Sequence, residues 1–297
     1  MTYAQGGLIQ ASDYNGFANN INSVWNTLYG QTAISTVAVG DRLQAQQWNS
    51  IYTSTANAAA HQGDTITPIP AATVGGKITY YPQLPTNISA ITTNPYNCSA
   101  SGTDVVGSST RTTSWGGGVG VPTVLSTITW TFDSYDKLRY FFNCGGRLRI
   151  NASSSVGSST PADLSWNAFC LGMGVLALPA ISTTQTITGS VYTGLTQFNN
   201  TITPTTYVRQ GFYDLTSSPQ QWFEQISGGG VYGADSISIN YSVSGSTVIA
   251  TILFEDTNNA TIDGDLTVYA VARPGESNYI SNSWGTPVIS VAVPVTL

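Results

Sequence analysis

The groups in this chain that could act on a substrate or hold an ion are a few carboxylates, three thiols and one imidazole. Asp256, Asn258, Asp263 and Asp265 fall near one expected hairpin turn, and oxygen donors at that density can hold Ca²⁺. Their spacing is not that of an EF-hand loop. Asn, Asp and Gly are also ordinary turn residues, so turn chemistry is their expected role. Glu224 and Glu255 can be chosen as a glycosidase pair, but nothing in the sequence fixes their separation. His61 is the single histidine. No G-x-S-x-G elbow accompanies it, and its expected place is a helix end. Cys98, Cys144 and Cys170 follow no C-x-x-C spacing and make no zinc set with His61. Buried thiols are expected, with one disulfide as the alternative. Trp115 and Trp284 could stack on sugars or pack on a neighbouring subunit, although burial is the commoner fate of such rings.

Composition points the same way. Only 8% of the 297 residues are charged, against about 25% in an ordinary globular domain. Ser, Thr, Asn, Gly and Tyr take their place, and acid–base catalysis needs ionisable groups. The chain is therefore read as structural or adhesive, with no enzymatic activity, no cofactor and no metal. A formal charge of -6 with nine Lys and Arg leaves no electrostatic footprint for nucleic acid. Lys137, Arg139, Arg147 and Arg149 are expected at the solvated ends of a helix and a strand. No run reaches the ~18 apolar residues of a membrane span. The first residues show no basic and apolar leader, so synthesis in a cytosol and release by lysis are expected.

The elements that must position these residues begin with a duplication. Ile9–Asn15 aligns with Leu43–Asn49 at an offset of 34, and Gly6 with Gly40. Each copy reads as an extended lead-in, a cap and a helix. Tyr14, Phe17, Ile21, Val24 and Leu28 form one apolar stripe, with Trp48 and Ile51 in a weaker second copy. A short helix cannot bury such a seam alone. Its partner is the other helix, the main domain or copies of the chain, and the alternative to a docking module is a helical hairpin packed on its own domain. On the docking reading, these seven residues are the expected assembly interface.

From Thr65 the pattern turns β-rich. Residues 97–120 read as a long exposed loop and 124–132 as a strand. Ser134 caps a helix that ends at Gly145, and 147–153 is a strand. Residues 163–175 and 219–226 read as helices. Residues 236–243, 247–254 and 266–272 read as an antiparallel meander, and 288–295 as an edge strand that Pro294 limits. The expected class is mainly β with short helices (α+β), with a duplicated helical attachment or assembly module over 1–64, whose removal should leave a folded body, and an antiparallel β-rich domain with short helices over 65–297. Phe141, Phe142 and Leu148 are expected at the core junction.

The run Tyr140-Phe141-Phe142-Asn143-Cys144-Gly145-Gly146-Arg147-Leu148-Arg149-Ile150, followed by Asp163-Leu164-Ser165-Trp166-Asn167, resembles a segment of tail or neck structural proteins of tailed bacteriophages. There an FFN-x-GG-x-[IL]-R helix–turn–strand precedes a D-x-x-W helix. The stretch from Glu255-Asp256 through Asp263-Gly264-Asp265-Leu266-Thr267-Val268 to Arg273 is similar to their C-terminal hairpin. The duplicated A-x-x-[YW]-N helices are similar to their N-terminal segments. The resemblance covers residues 9–63, 128–170 and 235–275. It implies a virion component without enzymatic role, assembled in the host cytoplasm. Its expected partners are copies of itself, as a trimer in a fibre or a ring at a neck, and other virion proteins. Cys144 stands where the resembling segments often carry Ser or Ala, which speaks against a special thiol function. Two other readings compete. One is a fibre or adhesin whose loops bind host surface glycan; the other is a polysaccharide hydrolase carried on the tail.

Overall fold

The computed structural model describes residues 9–76, 82–117, 123–228, 233–258 and 260–297. Gly6, part of the first repeat, lies outside them. The protein is α+β and mainly β, as the alternation of branched and hydroxyl residues requires.

Three helices form one layer. α1 (Ala11–Trp25) and α2 (Ala45–Gln62) are the duplicated pair. The third, α3 (Gln83–Thr93), packs against both. It starts just after Pro82 and carries Pro85 in its first turn, where a missing N–H costs nothing. The apolar stripe of α1 is covered inside the chain. Tyr14, Phe17, Ile21 and Val24, with Trp48 and Ile51 of α2, are fully buried in the core, and Leu28 is half-buried against it. Of the partners open to the seam, the structure supplies α2 and α3 of the same chain, so the expected assembly interface is internal. Those side chains are not available as a surface.

Two antiparallel sheets make up most of the rest. The five-stranded sheet runs β1 (Val105–Arg111), β14 (Leu266–Arg273), β4 (Arg147–Ser154), β5 (Val175–Leu178), β8 (Thr196–Phe198). The larger sheet runs β15 (Val288–Val291), β3 (Thr123–Thr131), β12 (Thr247–Glu255), β11 (Ser236–Ser244), β10 (Gln220–Ile226), β9 (Thr206–Tyr207), with β16 (Val295–Thr296) also on β3. Two small ribbons pair β2 (Trp115–Gly116) with β13 (Thr261–Ile262), and β6 (Thr184–Ile187) with β7 (Ser190–Thr193). Ile187 and Tyr192 of the β6–β7 ribbon pack with Cys98 and Ala177 in a small cluster of their own, whereas the two sheets, the β2–β13 ribbon and the helices α4 (Tyr135–Asn143) and α5 (Pro161–Met173) share one large hydrophobic cluster. That cluster runs from Tyr14 to Trp284, so no core boundary falls at residue 64.

The junction around α4 follows the sequence reading. The Ser134 hydroxyl accepts from the Lys137 amide at 3.2 Å, Gly145 takes a φ of +80°, and Phe141, Phe142 and Leu148 are buried. Four expectations are corrected. Residues 105–111, inside the expected loop, form strand β1. Residues 220–226 are a strand, not a helix. The third strand of the expected meander, β14, joins the other sheet, between β1 and β4. Arg147 is not solvated: it is buried, donating to the Gly145 carbonyl and the Ser101 hydroxyl under the Tyr192 ring.

Candidate interaction site

The duplication is deeper in three dimensions than in sequence. Each helix is entered through a glutamine. Gln10 and Gln44 precede α1 and α2, and their backbone N–H groups donate to Asp13 and Gln47, three residues on. These capping boxes satisfy amides that a helix start leaves open. The next equivalent pair, Tyr14 and Trp48, meet edge to face with ring centres 5.7 Å apart. The two copies thus pack on each other through the same position.

The asparagines that follow each hold an extended segment. Asn15 donates to the Val37 carbonyl at 2.9 Å and accepts from the Val37 amide at 2.8 Å. Asn49 does the same to Ala72, at 3.0 and 2.7 Å. A carboxamide offers one donor–acceptor pair in the geometry of a peptide group, so it can replace a neighbouring strand. Asn22 on Ile34 and Asn87 on Thr67 repeat the device. Sequence reading paired Asn15 with Asn49 but missed this role, although their equal place in the repeat was the signal.

Both held segments end in the same turn. Asp41 N–H donates to Ala38 at 3.2 Å, and Gly76 N–H to Thr73 at 3.0 Å. The third residues, Gly40 and Gly75, have φ of +94° and +77°, the left-handed position of a type II turn where glycine is favoured. The second residues are Val39 and Val74, which are 95% and 97% exposed. Beside each turn lies a hollow built from matching residues. One of about 300 Å³ includes Gln10, Ala11 and Val39. The other, of about 560 Å³, includes Gln44, Ala45 and Val74. One chain therefore shows the same apolar tip and hollow twice.

The residues singled out for chemistry are dispersed or enclosed. Glu224 accepts from the hydroxyls of Thr205 and Thr206, and Glu255 from that of Ser236. Strand β11 separates them. The acidic turn divides in two. Asp256 and Asn258 face Asp235, whereas Asp263 accepts from Ser158 and Asp265 donates through its amide to Ser155. Among the described residues, no group of three or more His, Cys, Asp or Glu is arranged to hold a metal ion. Burial, with a smaller push from Asp235, raises the Asp256 carboxyl to about 6. His61 is enclosed against the edge of Tyr29, 3.6 Å from a Glu276 oxygen. Burial holds it down at about 4 even so. All three cysteines are buried free thiols. Burial pushes Cys170 up to about 12 and raises Cys98 and Cys144, the opposite of a reactive thiolate. Trp115 and Trp284 are buried, Trp115 on Trp166 at 4.6 Å. Among the described residues, no helix is long and apolar enough to cross a membrane.

Fold and site thus define a mainly β, α+β protein with a braced, duplicated helix–turn unit. In comparisons with known proteins, no family model, no curated protein and no solved structure matches it.

Proposed function

We propose that this chain is a structural component of a tailed-phage virion, in the tail, neck or fibre. It works through contacts with copies of itself and with other virion proteins, and it has no catalytic role. The observation that carries the reading is the paired display of Val39 and Val74. A single exposed valine needs no explanation. Two at one repeated position, each on a turn fixed by an asparagine clamp, suit a mount that grips two equivalent sockets. Binding through two linked contacts raises avidity without new chemistry. The C-terminal edge adds a second surface, with Val288, Val293, Val295 and Leu297 exposed beside β3. The resemblance of 9–63, 128–170 and 235–275 to tail and neck proteins points to the same role.

The test is a pair of charge insertions, Val39→Asp and Val74→Asp, alone and together. Neither side chain packs on anything, so melting temperatures stay unchanged. Sedimentation at micromolar concentration and incorporation into particles are then read. Each single change weakens assembly and the double change abolishes it. Normal assembly of the double variant would sink the reading.

A further inference from the structure

One face of the five-stranded sheet is built unlike the rest of the molecule. On β4, Leu148, Ile150 and Ala152 point into the core, and β14 does likewise with Val268, Ala270 and Ala272. The opposite face carries residues in register across the strands. Ser108, Tyr269 and Asn151 form one row, and Val106, Val271 and Arg149 the next. Directly opposed residues share a face and touch. Beyond them, Arg273 lies opposite Arg147 and is paired with Asp104. The β6–β7 ribbon closes this end by laying Tyr192 over Arg147 at 5.4 Å. Towards β1 the face is open, and Val106 is 63% exposed.

The electrostatics of this face run against those of the chain. Three of nine cations gather here, with Asp104 the one carboxylate among these rows. Asp104 is committed to Arg273 through two hydrogen bonds. Arg147 is committed to Gly145, Ser101 and Tyr192. Arg149, half-buried between them, has no hydrogen-bond acceptor among the described residues. A guanidinium so placed lacks the planar oxyanion that would fill its fork.

We propose that this face binds an acidic polysaccharide, with a sugar carboxylate on Arg149, a ring against Tyr269 and Val106, and hydroxyls on Asn151 and Ser108. The charge fixes the sign of the ligand, and the surroundings fix its class. Nucleic acid needs a track of cations along its backbone, whereas here a single guanidinium lacks a hydrogen-bonded partner, Asp104 acting on it only through its charge. An acidic peptide is most readily added at a sheet edge, but these groups lie on a face. Hydroxyl, amide and aromatic groups around a single cation match a sugar that alternates hydroxyls with C–H faces. This inference goes beyond the assembly role and does not depend on it.

The experiment measures binding of the intact protein at low salt to polygalacturonate, alginate and polysialic acid. Neutral dextran, polyglutamate and single-stranded DNA serve as comparisons. At least one acidic polysaccharide binds, dextran does not, and affinity falls as salt rises. Arg149→Gln lowers affinity about tenfold or more, Arg149→Lys recovers part of it, and Tyr269→Ala weakens it, all at unchanged melting temperature. The Val39→Asp, Val74→Asp protein binds as the unaltered chain does, which separates this site from the mount. Three results would overturn the proposal: binding to none of the three polysaccharides, equal or tighter binding to polyglutamate or DNA, or full binding by Arg149→Gln.

Discussion

His61 and Asp256 are both enclosed ionisable groups, and burial moves them in opposite directions. His61 ordinarily titrates near 6.5 and in the fold near 4. The unfolded chain therefore takes up its proton first, and stability falls as pH drops from 6.5 towards 4. Asp256 ordinarily titrates near 3.8 and in the fold near 6. The folded chain holds that proton more tightly, so stability falls as pH rises from 3.8 towards 6. Shifts of this size in groups so enclosed correspond to roughly 3 kcal/mol each. In the unaltered protein the two slopes offset each other. Asp256→Asn raises stability at pH 7 and leaves a protein that weakens on acidification. His61→Gln leaves one that strengthens. Denaturant unfolding between pH 4 and 7 reads both, and parallel curves for the two variants would contradict the assignment. Neither environment was legible in sequence. His61 does lie in the last turn of α2, but its ring does not cap the helix, and its enclosure depends on Glu276 and Tyr29 arriving from distant segments.

At the scale of elements, alternation was readable where a strand is regular and misleading where it is not. Strands β11 and β12 alternate cleanly and were found within a residue or two. In β10 the adjacent Trp222 and Phe223 are both buried, because the pairing with β11 shifts between Gln221 and Phe223. Such a bulge breaks the period of two, and the sequence then imitates a helix. Strand β1 was hidden for another reason. Its outward residues are mostly polar, and Gly107 must lack a side chain because a Cβ there would lie 2.7 Å from Ile289. On α5, Phe169 and Met173 are buried, whereas Leu164 and Leu171 are exposed, so apolar type alone does not mark the buried face of this helix. The turn that leads into β14 is tied to α5 by Asp163. This enclosed carboxylate caps α5 through Thr160 and accepts the Asp263 amide at 2.9 Å and the Gly264 amide at 3.3 Å. It thereby fixes the turn that leads into β14. Hydrogen bonds hold Asp163 below the ordinary carboxylate range although burial opposes them. Asp163→Ala leaves several amides and a hydroxyl unpaired and costs about 2–4 kcal/mol. Chemical denaturation measures that loss, and a change under about 0.5 kcal/mol, typical of an uncoupled surface site, would show the brace to be dispensable.

For the whole molecule, the question is whether the duplicated segment is an appendage or part of the body. Composition changes at Thr65, and that change suggested a detachable module. The contacts run the other way. The Tyr29 hydroxyl donates to the Pro95 carbonyl at 2.7 Å, and Gln62 to the Ile91 carbonyl at 2.9 Å. Asn143 of α4 donates to Leu28, and Gln31 both donates to and accepts from Ser281, near the far end of the chain. Gly30 lies against Tyr140, where a Cβ would come within 2.6 Å of the ring. Removing residues 1–63 would uncover Leu84, Ile88 and Ile91 of α3 and strip partners from three other segments at once. A small domain is stable by only about 5–15 kcal/mol, and losses of this extent exceed that margin. The truncated chain is therefore expected to lose cooperative unfolding and to aggregate. The single-residue changes at Val39 and Val74, both fully exposed, are expected to leave folding intact and so to test the proposed assembly role by itself. Calorimetry and circular dichroism of the 64–297 fragment decide the matter. A soluble fragment with a sharp thermal transition and the strand content of the full chain would restore the appendage, and would make deletion rather than point substitution the cleaner test of assembly.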